Sequence, residues 1–358
     1  MLWVKTPPMK TNNLKLYHKK RFWAGLLLAQ FLLFFILSKI NAAITFFESL
    51  FEFQKRFHQS IFASIPFSVG DLFYILLIAI FVFFIFKILK QNSRKKYVFK
   101  LLILLNILYF IYQISWGMLY FQKPLLEKLP EKELKIEDIK KLTFEYLEKC
   151  KQTRSLVKED ESGVFTITDI NLIKDEILRN QTKLPSSLNN KKGTEIKAFK
   201  ASLFRPIMSY SGILGYYNPF TAEAQFNSAL PSTYIPFTLS HESAHQLGYA
   251  REQEANFIGF LIGENSTNID LKYSTEYFVL KSLLNFLSEH DPEFVKEILA
   301  HYSPEMQRDR LAEKIFVKKH EGLLDIFFAF TNDLFLKSNR QDGSITYSYF
   351  IDLLVRYK

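Results

Sequence analysis

The sequence predicts a mainly helical chain, with three N-terminal transmembrane helices followed by an α+β soluble domain that carries a small sheet. Three observations predict it. Long, nearly uncharged apolar runs fill the first third, and most of the remainder alternates charged and apolar residues at helical spacing. Between 209 and 236 that spacing gives way to short aromatic segments punctuated by Gly212, Gly215, Pro219 and Pro231. Residues 1–123 form the expected membrane region and 124–358 the expected soluble domain.

The first apolar run covers residues 22–37, with Lys39 just beyond it. A cleaved signal peptide competes with a retained span there: a basic head precedes the run and Asn41-Ala42-Ala43 is small, whereas the core is long for a signal sequence. The second run, 72–86, reaches the roughly 20 residues of a spanning helix once 65–70 is included. The third, 98–120, reaches it directly.

Charge separates the two parts of the chain. Residues 1–120 hold 15 Lys/Arg against 3 Asp/Glu, and residues 121–358 hold 31 against 33. The net +10 therefore sits beside the apolar runs, where it sets orientation in a lipid bilayer. A nucleic-acid partner, which needs a basic surface on the folded part, is excluded as the reading. Basic residues crowd the arm before the first run and the connection at 87–100. The segment between the first two runs offers Lys55 and Arg56 against Glu48, Glu52 and Asp71. The expectation is a cytoplasmic N-terminus and an extracytoplasmic C-terminal domain. The single cysteine, Cys150, rules out an intrachain disulfide and a multi-cysteine zinc knuckle.

In the soluble part the helical spacing holds over 133–150 and around 170–180, 275–290 and 305–330, and the polar stretch 181–200 reads as a loop. The segment 209–236 is the expected place of the sheet, with 224–230 as an edge strand able to pair with an extended substrate.

The chemistry is concentrated in PFTLSHESAHQLGYAREQEANFIGFLI, residues 236–262. His241 and His245 are four apart, so on a helix they present two imidazoles from one face. Glu242 lies about 100° further round, where its carboxylate can reach a water on the metal without ligating the metal. Pro236 suits the first turn of this helix and Gly248 its end. A surface helix with two histidines is the plain alternative, and a third ligand decides between them. Arg251 cannot be that ligand, because it stays protonated. Glu252 can, with Asn256 one turn on to hydrogen-bond a ligand; Glu254 is the second choice.

This arrangement, HExxH followed by Glu-x-x-x-Asn, resembles the gluzincin group of metallopeptidases. The resemblance implies a zincin-like soluble domain, Zn2+ held by His241, His245 and Glu252, and Glu242 as general base in hydrolysis of a peptide or protein substrate. The spacing from His245 to Glu252 is shorter than in that group, and Asn256 stands where Asp is usual. A second resemblance covers most of the chain. Trp116-Gly117-Met118-Leu119-Tyr120, Gly215-Tyr216-Tyr217-Asn218-Pro219-Phe220-Thr221-Ala222-Glu223-Ala224, the HExxHxxG core and Asp342-Gly343…Tyr347 are similar to an uncharacterised bacterial family of multi-pass membrane proteins. It implies a multi-pass protein of the bacterial inner membrane. For the oxyanion of the reaction the sequence offers Tyr273, Tyr347, Arg310 and His320. The rival function is a metal-binding membrane scaffold or sensor without turnover; an intact Glu242 weighs against it. The polar flanks of the motif (Thr238, Ser240, Gln246, Arg251) weigh against an intramembrane protease, and the nearly uncharged spans against a channel.

Overall fold

The computed structural model of the chain describes Leu16, residues 19–322 and residues 346–358, the last with side chains from Tyr349 onward. The part of the expected helix beyond 322, the pair Asp342-Gly343 and the side chain of Tyr347 lie outside the described residues.

Among the described residues three helices are long and apolar enough to cross a membrane: α1 (Lys20–Leu37), α3 (Val69–Leu89) and α4 (Arg94–Ser115). They match the three apolar runs, but the second begins at Val69, with Ser68 capping it by accepting from the Asp71 amide at 3.1 Å. α4 packs between α1 and α3. In its middle the Asn106 side chain accepts from Gln30 Nε2 (3.2 Å) and donates to the Trp23 carbonyl (3.0 Å), so a polar pair ties α4 to α1 inside the apolar bundle. A fourth N-terminal helix, α2 (Asn41–Phe62), was not anticipated. Glu48, Glu52, Lys55 and Arg56 interrupt its apolar character, so no continuous run marks it in the sequence.

Two short 3-10 turns, Gly117–Phe121 and Leu125–Lys128, lead into the second half. There α5 (Ile136–Arg154) and α6 (Ile170–Gln181) precede the first strand, β1 (Phe199–Ala201). After α7 (Arg205–Ser211) come β2 (Gly215–Asn218) and β3 (Glu223–Phe226), then α8 (Ile235–Leu247), α9 (Glu252–Glu264), α10 (Ile269–Ser288), α11 (Pro292–Ala300), α12 (Pro304–His320) and a C-terminal helix, Thr346–Tyr357. The expected helices are present, and the small sheet lies where the texture changes, except that β1 falls at the end of the segment read as loop.

The described strands form one sheet in the order β1-β3-β2, with β1 parallel to β3 (Phe199 opposite Ala224) and β2 antiparallel to it (Tyr217 opposite Ala224). β3 is therefore central. The expectation of an edge strand at 224–230 is corrected: both hydrogen-bonding sides of β3 are occupied, and all four of its residues are buried. β1 and β2 are the edge strands, and β2 packs against α8. The core is formed mainly by α5, α8, α9 and α10, with Ile139, Leu239, Ile258 and Leu280 fully buried. Phe237 of α8 stacks on Phe278 of α10 at 3.7 Å, and Gln246 donates to the carbonyls of Ala198 (3.3 Å) and Ala222 (3.2 Å), which fastens α8 to the sheet.

The second half rests on the membrane helices through the GYYNPFTAEA stretch. The Tyr216 hydroxyl donates to Asp71, Phe220 packs on Phe73 (5.0 Å), and Tyr217 packs on Trp116 (4.7 Å). The buried Glu223 carboxylate accepts from the amides of Val69 (3.2 Å) and Gly70 (2.7 Å), placing a negative charge at the positive end of α3.

Candidate metal centre

The HESAH segment is helical. Pro236 lies in the first turn of α8, and Gly248 ends the helix in the left-handed region, φ 96°. That residue reverses the chain, so four residues later Glu252 opens α9 and faces α8 across a close contact. A Cβ on Gly259 would come within 3.1 Å of the His241 amide nitrogen, and Ser240 donates to the Gly259 carbonyl at 2.8 Å. The short spacing from His245 to Glu252 is thus the length of one tight helical reversal.

The reversal brings His241, His245 and Glu252 together, with one ligand atom from each lying within 4.8 Å of the other two. Among the described residues no other group of histidine, cysteine and carboxylate side chains converges in this way. His241 Nε2 is 3.2 Å from Glu252 Oε2, and His245 Nε2 is 3.6 Å from Glu252 Oε1. Two ligands of one tetrahedral zinc, each at about 2.1 Å, would be separated by roughly 3.4 Å. The donor set fits a divalent cation in its chemistry, and both histidine–carboxylate separations fit the spacing of such an ion.

The outer ring nitrogens are engaged. His245 Nδ1 meets the Tyr249 carbonyl at 2.6 Å; a carbonyl can only accept, so Nδ1 carries the proton and Nε2 is left for the metal. His241 Nδ1 meets Asn256 Oδ1 at 2.7 Å, which places Asn256 behind a ligating histidine. Burial works against a charge on His245, but the Glu252 carboxylate outweighs it and raises that pKa to about 9. Glu252, despite its own burial, is held well below the usual carboxylate range by the same pair. A cation at this position would take the place of the imidazolium proton.

Glu242 points into the same space from the next position on α8. It is 3% exposed, its Oε2 has no hydrogen-bond partner, and burial pushes its pKa up to about 7 against the pull of the two histidines. β2 lies against it: a Cβ on Gly215 would sit 2.6 Å from Glu242 Oε1, so only glycine leaves that carboxylate its room.

Glu254, the second choice for the ligand, is occupied elsewhere. Its Oε1 accepts from the Leu125 amide (2.9 Å) and from Arg251 Nη1 (2.8 Å). Arg251 also donates from Nη2 to the carbonyls of Tyr120 (3.0 Å) and Gln122 (2.6 Å), tying the residue before Glu252 to the chain that leaves α4.

Of the oxyanion candidates, Tyr273, Arg310 and His320 are not brought to the centre. The Tyr273 hydroxyl donates to Asp309 at 2.7 Å inside the core. Arg310 lines a surface cavity of about 600 Å³ with Tyr302 and Glu313, and His320 packs on Phe316 and Tyr210. The groups that do surround the centre went unremarked as site residues: Trp116, whose ring meets His245 edge-on at 5.7 Å, with Gly215 and the Tyr249 carbonyl. Trp116 and Gly215 open two of the stretches that carry the family resemblance, and that was the available signal.

Comparison with known proteins places the chain in a family. The chain belongs to the family described as "Protein of unknown function (DUF3810)", whose profile matches residues 46–355. No curated protein and no solved structure matches the chain.

Proposed function

Starting from membership of that family, we propose that the chain is a membrane-anchored zinc metallopeptidase, multi-pass in the bacterial cell membrane with its second half extracytoplasmic. The observation that carries the reading is Glu242: a buried carboxylate with an unpartnered oxygen, beside three converging ligand atoms. A structural cation site has no use for such a group. Orientation is supported by the Lys/Arg-rich arm before α1 and the connection between α3 and α4, against the balanced charge of 41–62.

His241, His245 and Glu252 would hold the ion, with Asn256 and the Tyr249 carbonyl fixing the imidazole planes. Zn2+ bound there would supply Lewis acidity and an acidified water at an open position. Glu242 accepts the proton of the attacking water and returns it to the leaving amine. Gly215 keeps that carboxylate free to move between them, and the free edge of β2 beside it offers backbone groups to an extended substrate.

The test uses the full-length protein in proteoliposomes with a broad library of flexible peptides. Glu242→Gln should retain zinc and lower cleavage by about 100- to 10,000-fold, whereas Glu252→Ala should lose the zinc. A fully zinc-loaded wild type that cleaves nothing in the library would replace this reading with a metal-binding membrane scaffold.

A further inference from the structure

α2 carries two unlike faces. With successive residues about 100° apart, Phe46, Phe53, Phe57 and Ile61 fall on one stripe, and they are 60%, 69%, 55% and 45% exposed. Four large apolar side chains open along one helix is more than scattered surface hydrophobicity. The opposite arc is polar and holds the second half of the chain. Lys55 Nζ donates to the Lys192 carbonyl (3.1 Å) and Gln59 to the Ala222 carbonyl (3.5 Å); on the flank between the two faces Arg56 pairs with Glu195 at 3.5 Å. The helix is thus fastened on its polar side and bare on its apolar side.

Its place in the chain names the medium on the bare side. α2 joins the end of α1 to the start of α3, two helices apolar enough to cross a membrane, so it lies at one bilayer surface. Charged residues through its length bar it from crossing. An apolar stripe opposite a polar arc is the pattern of a helix lying in the interface plane.

Between these two faces, one side chain connects the helix to the metal centre. Phe51, 3% exposed, packs on Trp116 (5.8 Å) and Tyr217 (6.3 Å), and a Cβ on Gly248 would lie 2.8 Å from its ring. Gly248 ends the helix that carries both histidines, and Trp116, one residue past α4, touches His245. From lipid to ligand the path is one helix and one layer of rings.

We propose that α2 lies in the outer interface of the bilayer with its phenylalanine stripe in the lipid, seating the metal centre at the membrane surface to act on interfacial segments of other membrane-anchored polypeptides. The position follows from α2 alone; the substrate class rests on the peptidase reading. A substrate anchored in the same bilayer meets the centre at a raised effective concentration, and one free in solution does not.

The experiment uses full-length protein in phospholipid vesicles, in a Cys150→Ser background. Nitroxide labels are placed singly through Phe53→Cys, Phe57→Cys and Arg56→Cys, and their collisions with oxygen and with an aqueous nickel chelate are compared. Labels at 53 and 57 should favour oxygen and the label at 56 the chelate; aqueous behaviour at 53 and 57 overturns the proposal. One peptide sequence is then offered free and fused by a short linker to a transmembrane anchor in the same vesicles. The anchored form should be cut at least tenfold faster, and Phe53→Ser with Phe57→Ser should reduce that advantage while leaving the rate on the free peptide unchanged. Equal rates on both forms overturn the substrate class. If labels at 53 and 57 lie in lipid and neither peptide is cut, the position of α2 stands and the peptidase reading fails.

Discussion

Two buried acidic clusters, one in the far core and one at the metal centre, are built on opposite plans. In the far core Asp309, fully buried, accepts from Arg154 Nε (2.6 Å), Arg154 Nη2 (3.2 Å), the Tyr273 hydroxyl (2.7 Å) and the Phe165 amide (2.8 Å). Arg154, 1% exposed, spends its remaining donors on Glu159 and the Gly163 carbonyl. At the centre, Glu242 is as deeply buried and has an oxygen with no partner, and the inner nitrogens of two histidines converge on one carboxylate. Leaving a buried polar group unpaired costs about 1–3 kcal/mol. The first cluster serves cohesion; the second, on the reading proposed above, is where an ion would bind.

That contrast can be broken from either side. The largest effect is expected in the far core: Asp309→Ala strands the Arg154 charge and should lower stability by about 3–5 kcal/mol. Thermal unfolding of the full-length protein in detergent would measure it, and molecules still folded should bind metal as before. Next comes Asn256→Ala, which removes only the group behind His241. Metal affinity should fall about 10- to 100-fold in a competition titration with a chelator, while the unfolding temperature of the metal-free protein stays within a degree or two. An unchanged affinity would mean that Asn256 does not orient the ligand.

The smallest effect concerns Glu176, whose carboxylate accepts from the Thr267 amide (2.8 Å), the Thr267 and Ser266 hydroxyls and Arg179. Burial opposes its charge, but these donors prevail and hold the pKa at about 2, below the ordinary 4.5. With the folded value lowered, the stabilisation is complete above about 4.5 and fades as pH falls toward 2. Glu176→Gln should cost about 1 kcal/mol at neutral pH and flatten the acid limb of the stability curve; a wild-type acid limb shared by the variant would assign that loss to other groups.

The sequence was most readable where a single period or spacing sufficed. Runs of lipid-like residues marked α1, α3 and α4, and the four-residue step from His241 to His245, with Pro236 and Gly248 at the ends, marked α8. Glu252 and Asn256 were found because their four-residue spacing fits a helix that follows directly, and both face the histidines in the fold. Contacts made across the chain were the unreadable part. The strand at 224–230 has the composition of an edge, yet β1 arrives beside it from a polar stretch that gave no strand signal. Tyr273 and His320 have suitable chemistry, but tertiary packing turns the first into the core and sets the second against Phe316 and Tyr210. α2 mixes charges with phenylalanines because it faces two media at once, and neither a soluble nor a membrane periodicity describes it.

Arg251 carries a further consequence, which concerns modularity. Of its three acceptors, two are carbonyls of Tyr120 and Gln122, in the few residues between α4 and the second half of the chain, and the third is Glu254. Trp116 in the same stretch supports His245. A version of the second half joined to a different anchor just before Pro124 would lose the indole and, unless its backbone followed the same path, the placement of both carbonyls. A graft that carries residues 116–122 with it is therefore expected to keep the surroundings of Glu252 better than one joined at Pro124.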